Sequence, residues 1–194
     1  DILDRGDYSG PGGARMLLRD PRLEVACLEV ARGGILRRGL PTRRARAAVV
    51  TNVANDHLGQ YGVNTVPELA QAKFAVHRTL TSDGVLSLNA DDSFVVDEAA
   101  NVDKTIWWFS LDPKNPKISE ARTRGHCCAF LDGQNLVFFD GQDEVSLISV
   151  SDVPITMSGA AKYNVSNALA AICVSKTMGI PDAAIKAAEA VLEG

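Results

Sequence analysis

Three apolar runs, each closed by a polar cluster, constrain this chain more than any other feature. They are Leu-Glu-Val-Ala-Arg-Gly-Gly at 28–34, Thr-Asn-Val-Ala-Asn-Asp-His-Leu at 51–58 and Leu-Asn-Ala-Asp-Asp at 88–92. Short β-rich runs that end in polar residues are the mark of a parallel α/β sheet, whose strands are buried on both faces and open a ligand crevice at their carboxyl ends. The clusters bring Glu29, Asp56, His57, Asn89, Asp91 and Asp92 to such ends. Oxygen donors with one imidazole suit a Mg²⁺–nucleotide site better than a zinc site, which favours thiolates.

The remaining pattern predicts an α/β fold: a mostly parallel sheet flanked by helices, with an antiparallel β-meander extension. Strands are expected over 23–29, 47–52, 85–89 and 105–110. A crossover helix is expected after Thr65, an N-cap candidate followed by Pro67 and Glu68, with Leu69, Ala72, Phe74, Ala75 and Leu80 on its apolar side. Pro113 and Pro116 read as a loop. After it, 128–131, 135–140 and 145–150 alternate with Asp132-Gly133 and Asp140-Gly141 turns, which predicts a meander and no further βαβ unit. A helix over 164–178 closed by Gly179, then a last helix opened by Pro181 and ending near Glu193, completes the chain.

With 194 residues the chain makes about one domain. Its net charge of −4 disfavours a nucleic-acid or membrane surface, so small-molecule chemistry is the expectation. Cys27, Cys127, Cys128 and Cys173 lack CxxC spacing and read as reduced thiols of a cytoplasmic protein. No apolar run has spanning length, and no leader peptide is evident.

Each candidate residue has two readings. Glu29 can be a ligand beside the close-approach glycines Gly33 and Gly34, or a solvated loop residue paired with Arg32. His57 can hold a metal or sit in a capped turn. Lys73 can serve the site or snorkel from a helix surface. Asn164 and Asn167, at i and i+3, can read a base edge or cap a helix. Trp107 and Trp108 read as structural, facing opposite sides of a strand. A P-loop requires G-x-x-x-x-G-K-[ST], and no Gly-Lys pair occurs in the chain.

Taken in order, Gly-Asp-Tyr-Ser-Gly-Pro at 6–11 and the three clusters resemble the Mur ligase superfamily in the form it takes in cyanophycin synthetases. So do Trp-Phe-Ser-Leu-Asp-Pro at 108–113, Asp-Val-Pro-Ile-Thr at 152–156 and the run 159–171 that begins Gly-Ala-Ala-Lys-Tyr-Asn. The resemblance implies a Mur-type central, ATP-binding domain spanning 1–194, with a P-loop segment upstream and a C-terminal ligase domain downstream, both outside the chain. It implies an ATP-dependent amide ligase that phosphorylates a carboxylate and lets an amine attack the acyl phosphate. The expected substrates are ATP, arginine and the aspartate β-carboxylate of a polyaspartate-type polymer, with Mg²⁺ as cofactor and a homo-oligomer as the full-length state.

By the same resemblance, Glu29 and His57 match metal-binding residues, with Asn52 and Asp56 shaping the loop that carries His57. Lys73 matches a lysine that several Mur ligases carbamylate, and its side chain is expected to point toward His57 from the N-terminal half of its helix. Asn89 and Asp91 match a nucleotide-side N-x-D-D motif, and Asn164 and Asn167 match adenine-side asparagines. Tyr163 stands where Mur ligases often carry His. The alternatives are a non-catalytic nucleotide-binding module and a paralogous ligase for another amine or a dipeptide.

Overall fold

The computed structural model describes residues 10–55 and 58–191. Six strands form one sheet in chain order: β1 (Ala45–Val50), β2 (Leu80–Asn89), β3 (Thr105–Ser110), β4 (Cys128–Asp132), β5 (Asn135–Phe139) and β6 (Glu144–Ser149). β1 to β4 run parallel, and β5 and β6 continue the sheet antiparallel. The helices are α1 (Pro11–Leu17), α2 (Arg32–Arg38), α3 (Val66–Phe74), α4 (Ser93–Ala99), α5 (Pro116–Thr123), α6 (Lys162–Thr177) and α7 (Asp182–Glu189).

Two features depart from the sequence expectation. Residues 23–29 form no strand: the run is extended and leads into α2, with Val25 61% exposed. Its residues stay exposed or half-buried and join no hydrogen-bond ladder, so β1 is the edge strand among the described residues. The second is the Pro113–Pro116 segment, which holds a helix as well as a loop. Asn115 accepts from the Lys117 N–H at 2.9 Å and Pro116 occupies the first turn, where its missing N–H has no consequence. β3–α5–β4 is therefore a further parallel crossover, and only β4 to β6 form the meander.

Other signals appear as read. Thr65 and Glu68 form a reciprocal capping box at the start of α3. Two backbone N–H groups, of Asn64 and Thr65, donate to the Glu68 carboxylate and lower its pKa. Gly179 adopts φ +75° just beyond α6, and the Ile180 N–H closes back on the Ser175 carbonyl.

Side chains alternate across the sheet. Leu86, Leu88, Val50, Leu69, Phe74 and Val95 pack under α3 and α4. Cys128 and Phe130 pack under α5 with Ile118. On the other face, Phe109, Ala129, Leu131 and Phe138 meet Val165, Leu169 and Ile172 of α6. Trp107 joins this face, 5.6 Å from the Phe138 ring, while Trp108 lies on the α5 side beneath the Lys117 ammonium. All four thiols are free, and burial pushes Cys128 up to about 12 and Cys173 higher.

Glu189 of α7 is 4% exposed, one of its carboxyl oxygens has no partner among the described residues, and burial raises its pKa to about 7. The folded protein therefore keeps a proton that the unfolded chain releases near pH 4.5, so this group's contribution to stability falls as pH rises from there through about 7. Glu189→Gln is expected to remove that slope and to raise the thermal midpoint at pH 8 relative to the parent. Melting both proteins across the pH range checks it, and parallel profiles would refute it.

Candidate functional site

A cleft of about 520 Å³ opens at the carboxyl end of β1. Its walls come from the extended segment before α2, the exit of β1 and the last turns of α3, and they include Glu29, Arg32, Asn52 and Lys73. The size falls in the range of small-molecule sites.

Lys73 reaches the cleft from the penultimate position of α3, not from its N-terminal half as expected. The difference arises because α3 ends at Phe74 and passes into a 3₁₀ turn over Ala75–Thr79. Its ammonium donates to the Asn52 carbonyl at 3.0 Å, so the side chain crosses to the loop leaving β1. It is half-buried and does not simply snorkel. Glu29 faces the same cleft from a loop rather than from a strand end. Arg32, the other reading's partner for Glu29, donates to Gln60 Oε1 at 3.1 Å. Arg37 stacks over the Tyr61 ring at 5.3 Å, so α2 is fastened twice to the loop that follows the 51–55 segment.

Asp56 and His57 lie outside the described residues, and with them the expected meeting of Glu29 and His57. Among the described residues no three His, Cys, Asp or Glu side chains gather as a metal cluster. The described donor set does fit Mg²⁺ in one respect: Glu29 supplies a hard carboxylate to an open cleft, and this ion commonly takes one or two protein carboxylates and fills its shell with water and phosphate.

The 89–92 turn holds the strand ends in place. The Asn89 amide donates to the Thr51 carbonyl at 2.8 Å and accepts from the Asp91 N–H at 2.9 Å. The Asp91 carboxylate accepts from Ser110 Oγ at 2.5 Å, the Leu111 N–H at 2.7 Å and Asn115 Nδ2 at 3.1 Å. Asp92 accepts from the Val53 N–H at 2.6 Å and caps α4 through the Phe94 and Val95 N–H groups. The motif thus ties β1, β2 and β3 together with the starts of α4 and α5. The sequence places Asp92 among ligand-side oxygen donors, whereas here its carboxylate is taken up by backbone N–H groups, and it gives Asn115 no role. An Asn-Pro pair after a strand is the signal that identifies Asn115.

Asn164 and Asn167 lie in the first two turns of α6. Neither caps it: the N-cap is Ala161, and the Asn164 amide donates to the Ile155 carbonyl at 2.7 Å, pinning the 3₁₀ turn Pro154–Thr156 to the helix. Asn167 is exposed, and its side chain has no hydrogen-bond partner among the described residues; Tyr163 nearby is 70% exposed.

Of the two glycines at 33–34, Gly34 acts through packing. A Cβ on Gly34 would lie 2.9 Å from Pro11 Cδ, because α1 crosses α2 at this point. Gly34→Ala is expected to lose about 1–3 kcal/mol by forcing the two helices apart. Urea unfolding measures it, and an unchanged midpoint would show that α1 yields freely.

Comparison with known proteins places these features. The Mur ligase middle domain family matches residues 12–175. The chain is 38% identical over 179 residues to the cyanophycin synthetase of Geminocystis herdmanii, a match covering 92% of this chain and 20% of that protein. It is 31% identical over 145 residues to the UDP-N-acetylmuramoylalanine--D-glutamate ligase of Acidobacterium capsulatum, covering 74% and 28% respectively. MurF from Acinetobacter baumannii superposes with a TM-score of 0.49 at 20% identity, over 78% of this chain and 30% of that one. The chain spans about a fifth of the length of the cyanophycin synthetases it matches. Across nearly its whole length, this chain belongs to the Mur ligase middle domain family.

Proposed function

We propose that the chain is the central nucleotide-handling part of a cytoplasmic ATP-dependent carbon–nitrogen ligase of the cyanophycin synthetase type, with a P-loop segment and a C-terminal domain belonging to the parent protein. The observation that carries this reading is the meeting of Glu29 and Lys73 in one cleft at the carboxyl end of a parallel strand, in a chain of this family. The parent joins arginine to the β-carboxylate of aspartate in a growing polymer: ATP phosphorylates that carboxylate, and the arginine amine displaces phosphate from the acyl phosphate. Mg²⁺, when bound, neutralises the phosphate charge during transfer. Assembly of the full-length protein as a homo-oligomer belongs to the same reading.

Residues of this chain then take separate tasks. Glu29 provides the carboxylate toward the metal, in company with His57. Lys73 either fixes the Asn52 loop by its hydrogen bond or, as the neutral amine, forms an N–C bond with CO₂ and releases a proton, leaving an anionic carbamate whose charge a Mg²⁺ held by His57 would balance. Asn89 and Asp91 keep the nucleotide side of the sheet in register, while Asn167 and Tyr163 offer exposed groups for a base.

Glu29→Ala in the complete parent enzyme tests this reading. ATP-dependent arginine incorporation is expected to vanish while circular dichroism and melting stay as in the parent, because an exposed loop carboxylate contributes little to packing. Retained ligation would remove Glu29 from the site. Incorporation of another amine, or nucleotide binding without ligation by the intact protein, would shift the reading to a paralogue or to a binding module. The 194 residues alone are expected to bind ATP weakly and to ligate nothing, since they contain no P-loop lysine.

A further inference from the structure

A second cavity, of about 560 Å³, lies at the opposite end of the sheet. It is lined by the amino-terminal half of β3, the end of α4, the length of α5 and the turn before β4. The cleft described above opens at strand carboxyl ends, so the two are separated by the length of the parallel strands. Nothing in the proposed ligation uses this cavity.

Its chemistry is lopsided. The floor is apolar: Ile106 and Trp108 are only half-buried although they sit mid-sheet, with Ala121 beside them. Over the floor stand Lys104, Lys117 and Arg124, with His126 at the turn, and Glu120 is the sole carboxylate among the lining residues. Glu120 lies 2.9 Å from Arg124 and 3.8 Å from Lys117, so one negative charge is shared by two cations. The Lys117 ammonium also rests over the Trp108 ring at 5.5 Å. In a chain whose net charge is −4, a pocket with this cationic excess above an indole is built against the general electrostatic trend of the surface.

From this we infer a binding site for a small organic anion: a carboxylate, sulfonate or phosphate with an aromatic or aliphatic body. The body lies on Ile106 and Trp108, and the anionic group meets Lys117 and Arg124, displacing part of the interaction each makes with Glu120. Charge places the ligand and the apolar floor retains it, because neither a bare anion nor a neutral ring satisfies both.

Of the two tryptophans, Trp108 forms the cavity floor while the Trp107 ring packs on Phe138 across the sheet, so intrinsic fluorescence reports on the site through one of two indoles. Titration uses phenylacetate as the amphipathic anion, phenylacetamide as the same body without charge, and inorganic phosphate as charge without body. Phenylacetate is expected to give a saturable change, with the other two at least about tenfold weaker. Lys117→Ala combined with Arg124→Ala is expected to weaken phenylacetate at least about tenfold, and Glu120→Gln to tighten it several-fold, since the two cations lose their competitor. All three positions are on the surface of α5 or its end, and circular dichroism verifies that the variants fold. No saturable response, equal responses to phenylacetate and phenylacetamide, or an affinity unchanged in the folded double variant would each overturn the site.

Discussion

Turnover of the complete ligase is expected to fall by roughly two to three orders of magnitude when Lys73 is replaced by alanine, the scale seen when a positioned polar group is removed from a transition-state site. The structural reason is specific. Lys73 is half-buried, its ammonium holds the Asn52 carbonyl at 3.0 Å, and Asn52 begins the loop that leads to His57. Removing it frees that loop and takes away the nitrogen at which CO₂ would be trapped. Adding short-chain carboxylates to Lys73→Ala separates the two roles. Recovery of activity identifies an anionic oxygen as the missing group and hence a carbamate. No recovery, with Lys73→Arg partly active, identifies a cation that holds the loop. Full activity in Lys73→Ala would return this lysine to an ordinary helix surface.

Asp92→Ala is expected to be among the most destabilising single substitutions in the described fold, by about 2–4 kcal/mol. One carboxylate oxygen takes the Val53 N–H at 2.6 Å, in the partly buried loop after β1, and the other caps α4 with two bonds. Alanine leaves all three donors unmatched. For a protein of this length the thermal midpoint should drop by roughly 5–12 °C. Asp92→Asn retains an acceptor for the cap but offers an N–H toward Val53, so it should lie between the two. A midpoint within a degree of the parent in Asp92→Ala would show that water replaces the carboxylate and that the strand ends are tied elsewhere.

How far the sequence discloses this molecule depends on what each signal reports. Thr65 and Glu68 are legible because a capping box is local: its two hydrogen bonds join residues three apart. Thr105 to Ser110 is legible because a six-residue β-rich run in mid-sheet has neighbours on both sides. The 23–29 run has a similar apolar character, yet none of its residues is buried and it forms no strand, since an apolar run by itself supplies neither a covering layer nor a ladder partner. α5 is hidden by its prolines, which punctuate loops and also open helices, and only Asn115 before Pro116 distinguishes the cases. At the site, the residues alone leave Lys73 as readily on a helix surface as in a cleft; only the fold lines one cleft with Glu29, Asn52 and Lys73, and it brings Glu29 there from a loop and not from a strand end. The internal hydrogen bonding of Asn89, Asp91 and Asn164 is not legible, because the same polar types serve a ligand or a neighbouring backbone with equal chemistry, and only three-dimensional proximity decides.

The strand order has a further consequence for the way the chain assembles during synthesis. Among the described residues each strand after β1 pairs with the one made just before it, so every pairing closes over a single crossover helix or a tight turn and the sheet can grow in order as the chain emerges from the ribosome. Its second face cannot be finished in that way. α6 is made after β6, yet it returns across β1, β2, β3 and β4, bringing Val165, Leu169 and Ile172 to Phe109 and Leu131. A nascent chain that has reached Ser149 therefore carries all six described strands with one greasy side bare. The interval until residue 177 is out is when this polypeptide is most exposed to misassociation and most in need of a chaperone.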